Sequence, residues 1–341
     1  MRRFSFFLLL ALLVFASGCQ RQPETIQLHG ATMGTTWSLN VHSLPADVDS
    51  ALLTSRLQQQ LDRVNALMST YDPNSEISRF NASTSTDWFA ISAETAEVIE
   101  LSQQISELTG GAFDISVGPL VELWGFGAKE RDKSLPTEEE IATILASVGY
   151  RKLELRLDPA AIRKLQPQLR IDLSAVAKGY AVDRLAQLLN QLRIDNYLVE
   201  VGGELQIAGS RSDSTPWRIA IEKPEEGVRE VAKVFPLSEV ALATSGNYRN
   251  FYVENGQRYV HTINPASGRP VLHRLASATV LDPNSCARAD ALATALMVLG
   301  EEKGRQLVEQ NGIAAYFLIH DQESLTDYRS PSFAEFTDQV N

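Results

Sequence analysis

From residue 35 to residue 319 the chain alternates segments of helical period with short segments of strand period, and no linker sorts them into separate blocks. That interleaving constrains the fold more than any other feature. A helix with one apolar face and a strand with one apolar face must bury against each other. Leu53, Leu57, Leu61, Val64 and Met68 recur every three or four residues and predict a helix from Asp49 to Met68. Ser92 is placed to cap a second helix that runs to Leu108 and stops at Gly110-Gly111. Thr137 and Glu140 form a capping box after Pro136, opening a helix that ends near Gly149. Further helices are expected from Ala175 to Leu192, from Cys286 to Leu299 and from Glu301 to Gln310, the last two split by Gly300.

Strand patterns fall at residues 35–42, 153–157, 169–173 and 194–201, and at 205–208 after a Gly202-Gly203 turn. Others fall at 217–222, 232–235, 248–253, 275–281 and 314–319. The softest stretch, Asp213 to Glu230, is polar and contains proline, but it does not divide two independent cores. Although 341 residues suggest about two domains, the expectation is one compact α/β (α+β) body with two intertwined lobes. Its sheets are expected to be mixed and largely antiparallel, with flanking helices.

The body begins near residue 26. Before it, Arg2 and Arg3 precede an uninterrupted apolar run from Phe6 to Ala16, then Ser17, Gly18 and Cys19. The run is too short for a membrane span and has the size of a secretory h-region. A small pair followed by cysteine resembles a bacterial lipoprotein cleavage site. That resemblance implies removal of residues 1–18, lipid on Cys19, a tether over residues 19–25 and a body spanning residues 26–341. Gln20 leans towards outer-membrane sorting. An ordinary signal peptide with an incidental cysteine is the other reading. Cys286 would then be the one remaining thiol, expected as a small buried residue. A net charge of −11 speaks against nucleic-acid binding, and two cysteines cannot staple a scaffold.

Chemistry concentrates in a few segments. Asp290 and Thr294 lie four residues apart in a helical stretch, on one face, among Ala289, Ala291, Ala293 and Ala295. Oxygen ligands between such small neighbours suit a hard cation such as Mg²⁺; an Asp favoured in a helix's first turn explains the same residues. In Ile171-Asp172-Leu-Ser174-Ala-Val-Ala-Lys178-Gly179, a strand gives way to a helix, and Lys178 could meet a phosphate or simply stand exposed. Asp114 sits in an apolar, turn-rich stretch, and Glu204 at a hairpin tip. The Thr244–Tyr248 segment reads as a loop. His261 is the best general-base candidate by its pKa, with a structural histidine as the alternative. No Gly-x-Gly-x-x-Gly, Walker A, Gly-x-Ser-x-Gly, His-Glu-x-x-His or Cys/His cluster is present, so Rossmann, P-loop and zinc-hydrolase readings fall away.

Several blocks occur in order: Met33-Gly34-Thr35, Met68 through Asn81, Gly111-Ala112-Phe113-Asp114 through Gly127, and Ile171 through Asp183. Then follow Val199 through Glu204, Ala243 through Tyr248, His261-Thr-Ile263-Asn-Pro265 through Pro270, and Ala289-Asp290-Ala-Leu-Ala-Thr294. Together they resemble the FAD:protein FMN transferase, or ApbE-type, family.

The resemblance implies T-fold-like lobes. It also implies an enzyme that cleaves the pyrophosphate of FAD, moves the FMN phosphoryl group to a threonine or serine hydroxyl of an acceptor protein, and releases AMP. Acceptors in the family are redox subunits such as those of sodium-pumping NADH:quinone reductase and related electron-transport complexes. Localisation on the periplasmic side, lipid-anchored to a bilayer, follows from the leader. By the same resemblance Asp290, Thr294 and the Ala175 carbonyl would hold Mg²⁺. Met33, Tyr71, Ala112, Phe113, Asp114, Lys178 and Ile263 would contact FAD. His261 would be the base, with Asp290 helping to place it or the metal; Asp114, Asp172 or the metal alone are alternatives. An FAD pyrophosphatase and a non-catalytic FAD-binding lipoprotein are the competing functions.

Overall fold

A computed structural model describes residues 25–127, 134–211, 214–225, 227, 230–321 and 324–338. The leader, Cys19 and the tether as far as Glu24 lie outside the described residues. Eight strands form one sheet in the order Ile26–Thr32, Thr35–Val41, Tyr197–Val201, Glu204–Ala208, Val240–Gly246, Leu275–Asp282, Ala314–Asp321 and Ser324–Arg329. Every neighbouring pair is antiparallel. Strand alternation divides the apolar side chains between two layers. Trp37, Leu39, Val41, Ala241, Ala243 and Val280 face the main core, where the helices Ser50–Met68, Ala177–Gln191 and Cys286–Asn311 pack. Leu205, Ile207, Val240 and Leu242 face the other side. There the hairpin Trp217–Glu222/Val231–Leu237 and the helix Pro331–Asp338 cover them, with Phe235, Tyr316 and Phe333 in mutual ring contact.

Local signals account for the helices. Asp49 caps the first by accepting the Leu52 amide at 2.8 Å, and Leu53, Leu57, Leu61, Val64 and Met68 form its buried stripe. Ser92 caps the helix Ala93–Leu108, which ends before Gly110 and Gly111, both at positive φ. Both halves of the Thr137/Glu140 capping box are made, although the helix stops at Leu145, short of Gly149. Gly300 (φ 76°, ψ −178°) breaks the path from Cys286 to Asn311, as expected. His273 Nε2 lies 2.7 Å from the Met297 carbonyl at that break.

Two expectations fail for identifiable reasons. Residues 169–173 are not a strand: the Asn81 side chain accepts from the Ile171 amide (2.9 Å) and donates to its carbonyl (2.8 Å), in the manner of a neighbouring strand. Val240–Gly246, read in part as a loop, is a central strand. It is covered on both faces, so it lacks the polar/apolar alternation that reveals a half-buried strand. The strands Ile26–Thr32, Ala160–Lys164 and Ser324–Arg329 lie outside the expected elements. A small cluster of Leu120, Trp124, Ile141, Val148 and Ile263 builds a second lobe, latched where Trp124 Nε1 donates to the Gly268 carbonyl at 2.7 Å. Among the described residues no helix is long and apolar enough to cross a membrane.

The helices Ala177–Gln191 and Cys286–Asn311 meet backbone to backbone at Gly179. A Cβ there would lie 2.6 Å from the Cys286 carbonyl carbon and 2.7 Å from Ala287 Cα. Gly179→Ala is therefore expected to lower stability by about 1–3 kcal/mol despite its better helix propensity, measured by chemical denaturation. Lys164 is fully buried, donating to the Phe80 and Ser83 carbonyls (3.1 and 2.8 Å). Burial, aided by Arg170, pulls its pKa from 10.5 to about 8. The folded state thus sheds this proton before the unfolded chain does. Relative to Lys164→Met, wild-type stability should rise with pH between about 8 and 10.5, by at most about 3 kcal/mol, and be independent of pH below that window. A flat difference across the window would show that burial does not disfavour the ammonium.

Candidate active site

A cavity of about 690 Å³ opens between the main core and the small lobe. One wall comes from residues 112–127 and 261–265, the other from residues 170–178, 244–246 and 290–298. At its inner end Asp290, 2% exposed, projects from the helix Cys286–Asn311 towards the start of the helix Ala177–Gln191. The Gly179 amide donates to Asp290 Oδ2 at 3.1 Å. In an unbroken helix that amide would reach back to the Ala175 carbonyl. Turned to Asp290 instead, it leaves the carbonyl of Ala175 with no donor among the described residues. Thr294, one turn beyond Asp290, stands 3.2 Å from the Ser245 hydroxyl. Asp290, Thr294 and Ala175 all line the cavity.

The charges around Asp290 do not balance. Lys178 Nζ is 2.6 Å from Glu204 Oε1 and 3.9 Å from Asp290 Oδ1. One ammonium thus serves two buried carboxylates, and Glu204 Oε2 is buried without a partner. Burial raises the Asp290 carboxyl against the pull of Lys178 and the Gly179 amide. Burial, together with the Asp290 charge, pushes Glu204 up to about 7 against the pull of Lys178. Burial pulls Lys178 down, but the two carboxylates outweigh it and hold the ammonium above its ordinary value. The Asp290 carboxylate, the Thr294 hydroxyl and the free Ala175 carbonyl form an oxygen-only donor set that fits a hard divalent cation, and two carboxyl groups share a single ammonium beside it. The described residues hold no group of three or more His, Cys, Asp or Glu side chains placed for a metal. Any such site must draw on main-chain and hydroxyl oxygens.

The other predicted residues mostly gather here. Tyr71, 67% exposed, stands at the cavity rim as an open aromatic face. Ala112, Phe113 and Ile263 contribute apolar wall. Asp114 lines the cavity, but both its oxygens are already engaged. Oδ1 accepts from the Ser116 amide and hydroxyl (2.8 and 2.6 Å), and Oδ2 from the Tyr150 amide (2.8 Å). Burial raises its pKa even so. Asp172 also lines the cavity, its Oδ1 accepting from the Ser174 amide at 2.8 Å. Met33 is outside the cavity wall. It occupies the tight turn between the first two strands with φ 47°, and Thr35 beyond it packs against Gly202, beside the Lys178 stem.

His261 lines the cavity, with Nδ1 3.1 Å from the Asn250 carbonyl and Phe126 edge-on at 6.3 Å. That carbonyl assigns the ring proton to Nδ1 and leaves the Nε2 lone pair available. Burial lowers the pKa, opposed by Asn250 and aided by Lys178, and so favours the neutral ring.

Two residues carry more than the sequence reading gave them. Asp183 accepts from the Ser285 hydroxyl and from the Cys286 and Ala287 amides at 2.9, 2.6 and 3.0 Å, capping the neighbouring helix. Its position one turn after Gly179 was the available signal. Glu204 was noted only as a hairpin-tip carboxylate. The two-residue Gly202-Gly203 loop pairs it directly with Val201 and so turns it inward. Cys286 is buried as expected, its thiol within 3.5 Å of the Leu205 carbonyl.

Residues 33–317 match the ApbE family. The chain is 42% identical over 327 residues to the FAD:protein FMN transferase of Vibrio cholerae, covering 96% of this chain and 97% of that protein. It is 39% identical over 338 residues to the Escherichia coli K12 protein of the same name, covering 96% of each. The solved structure of the flavin transferase ApbE from Vibrio cholerae superposes with a TM-score of 0.85, covering 92% of this chain and 99% of that one. The Thermotoga maritima ApbE structure, 28% identical, gives 0.82 over 92% of this chain and 99% of its own. Order of motifs, fold and extent all agree, and the chain belongs to the ApbE family.

Proposed function

We propose that this protein is an FAD:protein FMN transferase that uses Mg²⁺ and an acceptor threonine or serine. The observation that carries this reading is the approach of two distant segments at one cavity: Asp290 on one helix meets the Gly179 amide and Lys178 at the start of another. Asp290, Thr294 and the Ala175 carbonyl are the oxygens that would hold the cation. Bound there, it would neutralise a pyrophosphate and stabilise charge on the transferred phosphoryl group. Around it, the chain's own residues bind and orient. Tyr71, Ala112, Phe113 and Ile263 offer flat or apolar surface to the ring systems of FAD, and Lys178 offers a point charge to its phosphates.

His261 Nε2 takes the acceptor hydroxyl proton as that oxygen attacks the FMN-side phosphorus. The phosphorus–oxygen bond to the AMP side breaks, and AMP leaves with the bridging oxygen. Asp114 is the poorer base because its oxygens are occupied by the Ser116 and Tyr150 amides. In this reading the mature chain is lipidated at Cys19 and faces the periplasm, on the outer membrane by Gln20. It acts on redox subunits of the kind found in sodium-pumping NADH:quinone reductase.

The test is incubation with FAD, Mg²⁺ and an acceptor bearing a threonine in a flavinylation segment. A fluorescent band that survives denaturing gel electrophoresis supports transfer. FMN and AMP without a band would mean hydrolysis, and intact FAD would mean binding alone. Asp290→Asn should reduce transfer about a hundredfold or more and abolish its response to Mg²⁺; near-normal flavinylation would remove Asp290 from the site. His261→Ala should lower kcat about 10²–10⁴-fold while sparing FAD binding. Because the imidazole pKa is lowered, wild-type activity should fall with acidification only below the ordinary imidazole range. An unchanged kcat at saturating FAD would make His261 structural.

A further inference from the structure

Lys178 has two buried carboxylates within reach. The Glu204 side chain is 4% exposed and the Asp290 side chain 3%, and the ammonium sits against the first, 2.6 Å away, and stands 3.9 Å from the second. Its stem passes Gly202, where a Cβ would come within 3.2 Å of Lys178 Cδ and 2.9 Å of Thr35 Cγ2. The hairpin register, Val201 opposite Glu204, then delivers the carboxylate to the ammonium. A half-buried ammonium needs a counter-charge. Without Glu204, Asp290 is the nearest one left. An ammonium seated on Asp290 would occupy its lone pairs and cancel the charge that attracts a metal ion.

We infer that Glu204 is a positioning residue: it holds the Lys178 ammonium off Asp290 and so keeps that carboxylate open to a divalent cation. The inference rests on the cation reading given above. It assigns Glu204 no contact with substrate. It accounts for a carboxylate whose one ion pair among the described residues is with Lys178 and whose second oxygen is buried and unpartnered.

The test is a double-mutant cycle read as Mn²⁺ affinity, by electron paramagnetic resonance of the full chain freed of metal, with and without FAD. In the wild-type background Glu204→Gln should weaken Mn²⁺ binding about tenfold or more. In the Lys178→Met background the same change should cost less than about threefold, because the competitor is gone. An equal loss in both backgrounds would overturn the inference and make Glu204 act directly on the metal. No loss in either would overturn it too. Wild-type protein that binds no Mn²⁺ even with FAD present would instead sink the cation reading itself. If Glu204→Gln does not fold, Glu204→Asp, which keeps the charge but draws it back from Lys178, carries the same comparison.

Discussion

The contact between the helices Ala177–Gln191 and Cys286–Asn311 is the constraint on which the rest depends. Gly179 permits it by offering no side chain, and Asp183, one turn later, fixes it by accepting the first amides of the partner helix. The two residues do different work. The glycine sets how close the backbones come, and the aspartate sets the axial register, since its carboxylate can meet only amides that a helix start leaves free. That register brings Asp290 to the Gly179 amide. A slip of one residue would rotate Asp290 by about 100° around its helix axis and away from the cavity.

Given that register, the site is electrostatically costly, and the structure shows how the cost is distributed. Three ionisable groups converge, two carboxyls on one ammonium. Burial penalises both carboxylates, and a single ammonium offsets only part of the penalty. Such an arrangement is poor for stability alone. It is well suited to attracting a cation, whose charge would complete the balance. The alanines around Asp290 contribute by absence: Ala289, Ala291 and Ala293 fill the helix interface while adding no bulk near the carboxylate.

The small lobe sets the other side of the cavity. Trp124, Tyr259, Tyr252 and Phe126 stack in sequence with centroids 5.6, 5.3 and 5.3 Å apart, tying the hairpin of residues 251–260 to the segment after the helix Gly118–Leu123. His261 follows directly after that hairpin, with Phe126 at its edge. Ring–ring contacts thus hold the wall that carries the imidazole, while helix packing holds the wall that carries the carboxylate. Ala112, Phe113, Asp114, Lys178 and Ile263 fall on one wall or the other, with Tyr71 at the rim. Met33 does not, since its turn belongs to the first hairpin and reaches the site only through Thr35 and Gly202.

Local rules made much of this legible in advance. Caps at Ser92 and Thr137, the stripe from Leu53 to Met68 and the break at Gly300 each follow from interactions within a few residues, and each stands in the structure. The pairing of Asp290 with Thr294 on one helix face was equally local. What the sequence could not supply was whatever depends on a distant partner. Val240–Gly246 shows no alternation because layers remote in sequence cover both its faces. Residues 169–173 lose their strand character to one asparagine ninety positions away. Glu204 gains its meaning only when Lys178 arrives beside it. Periodicity and capping are written in neighbouring residues, so the sequence determined the elements and the chemical types available. Charge balance and close approach are sums over segments far apart in the chain, so tertiary packing alone decided which of those groups became a site.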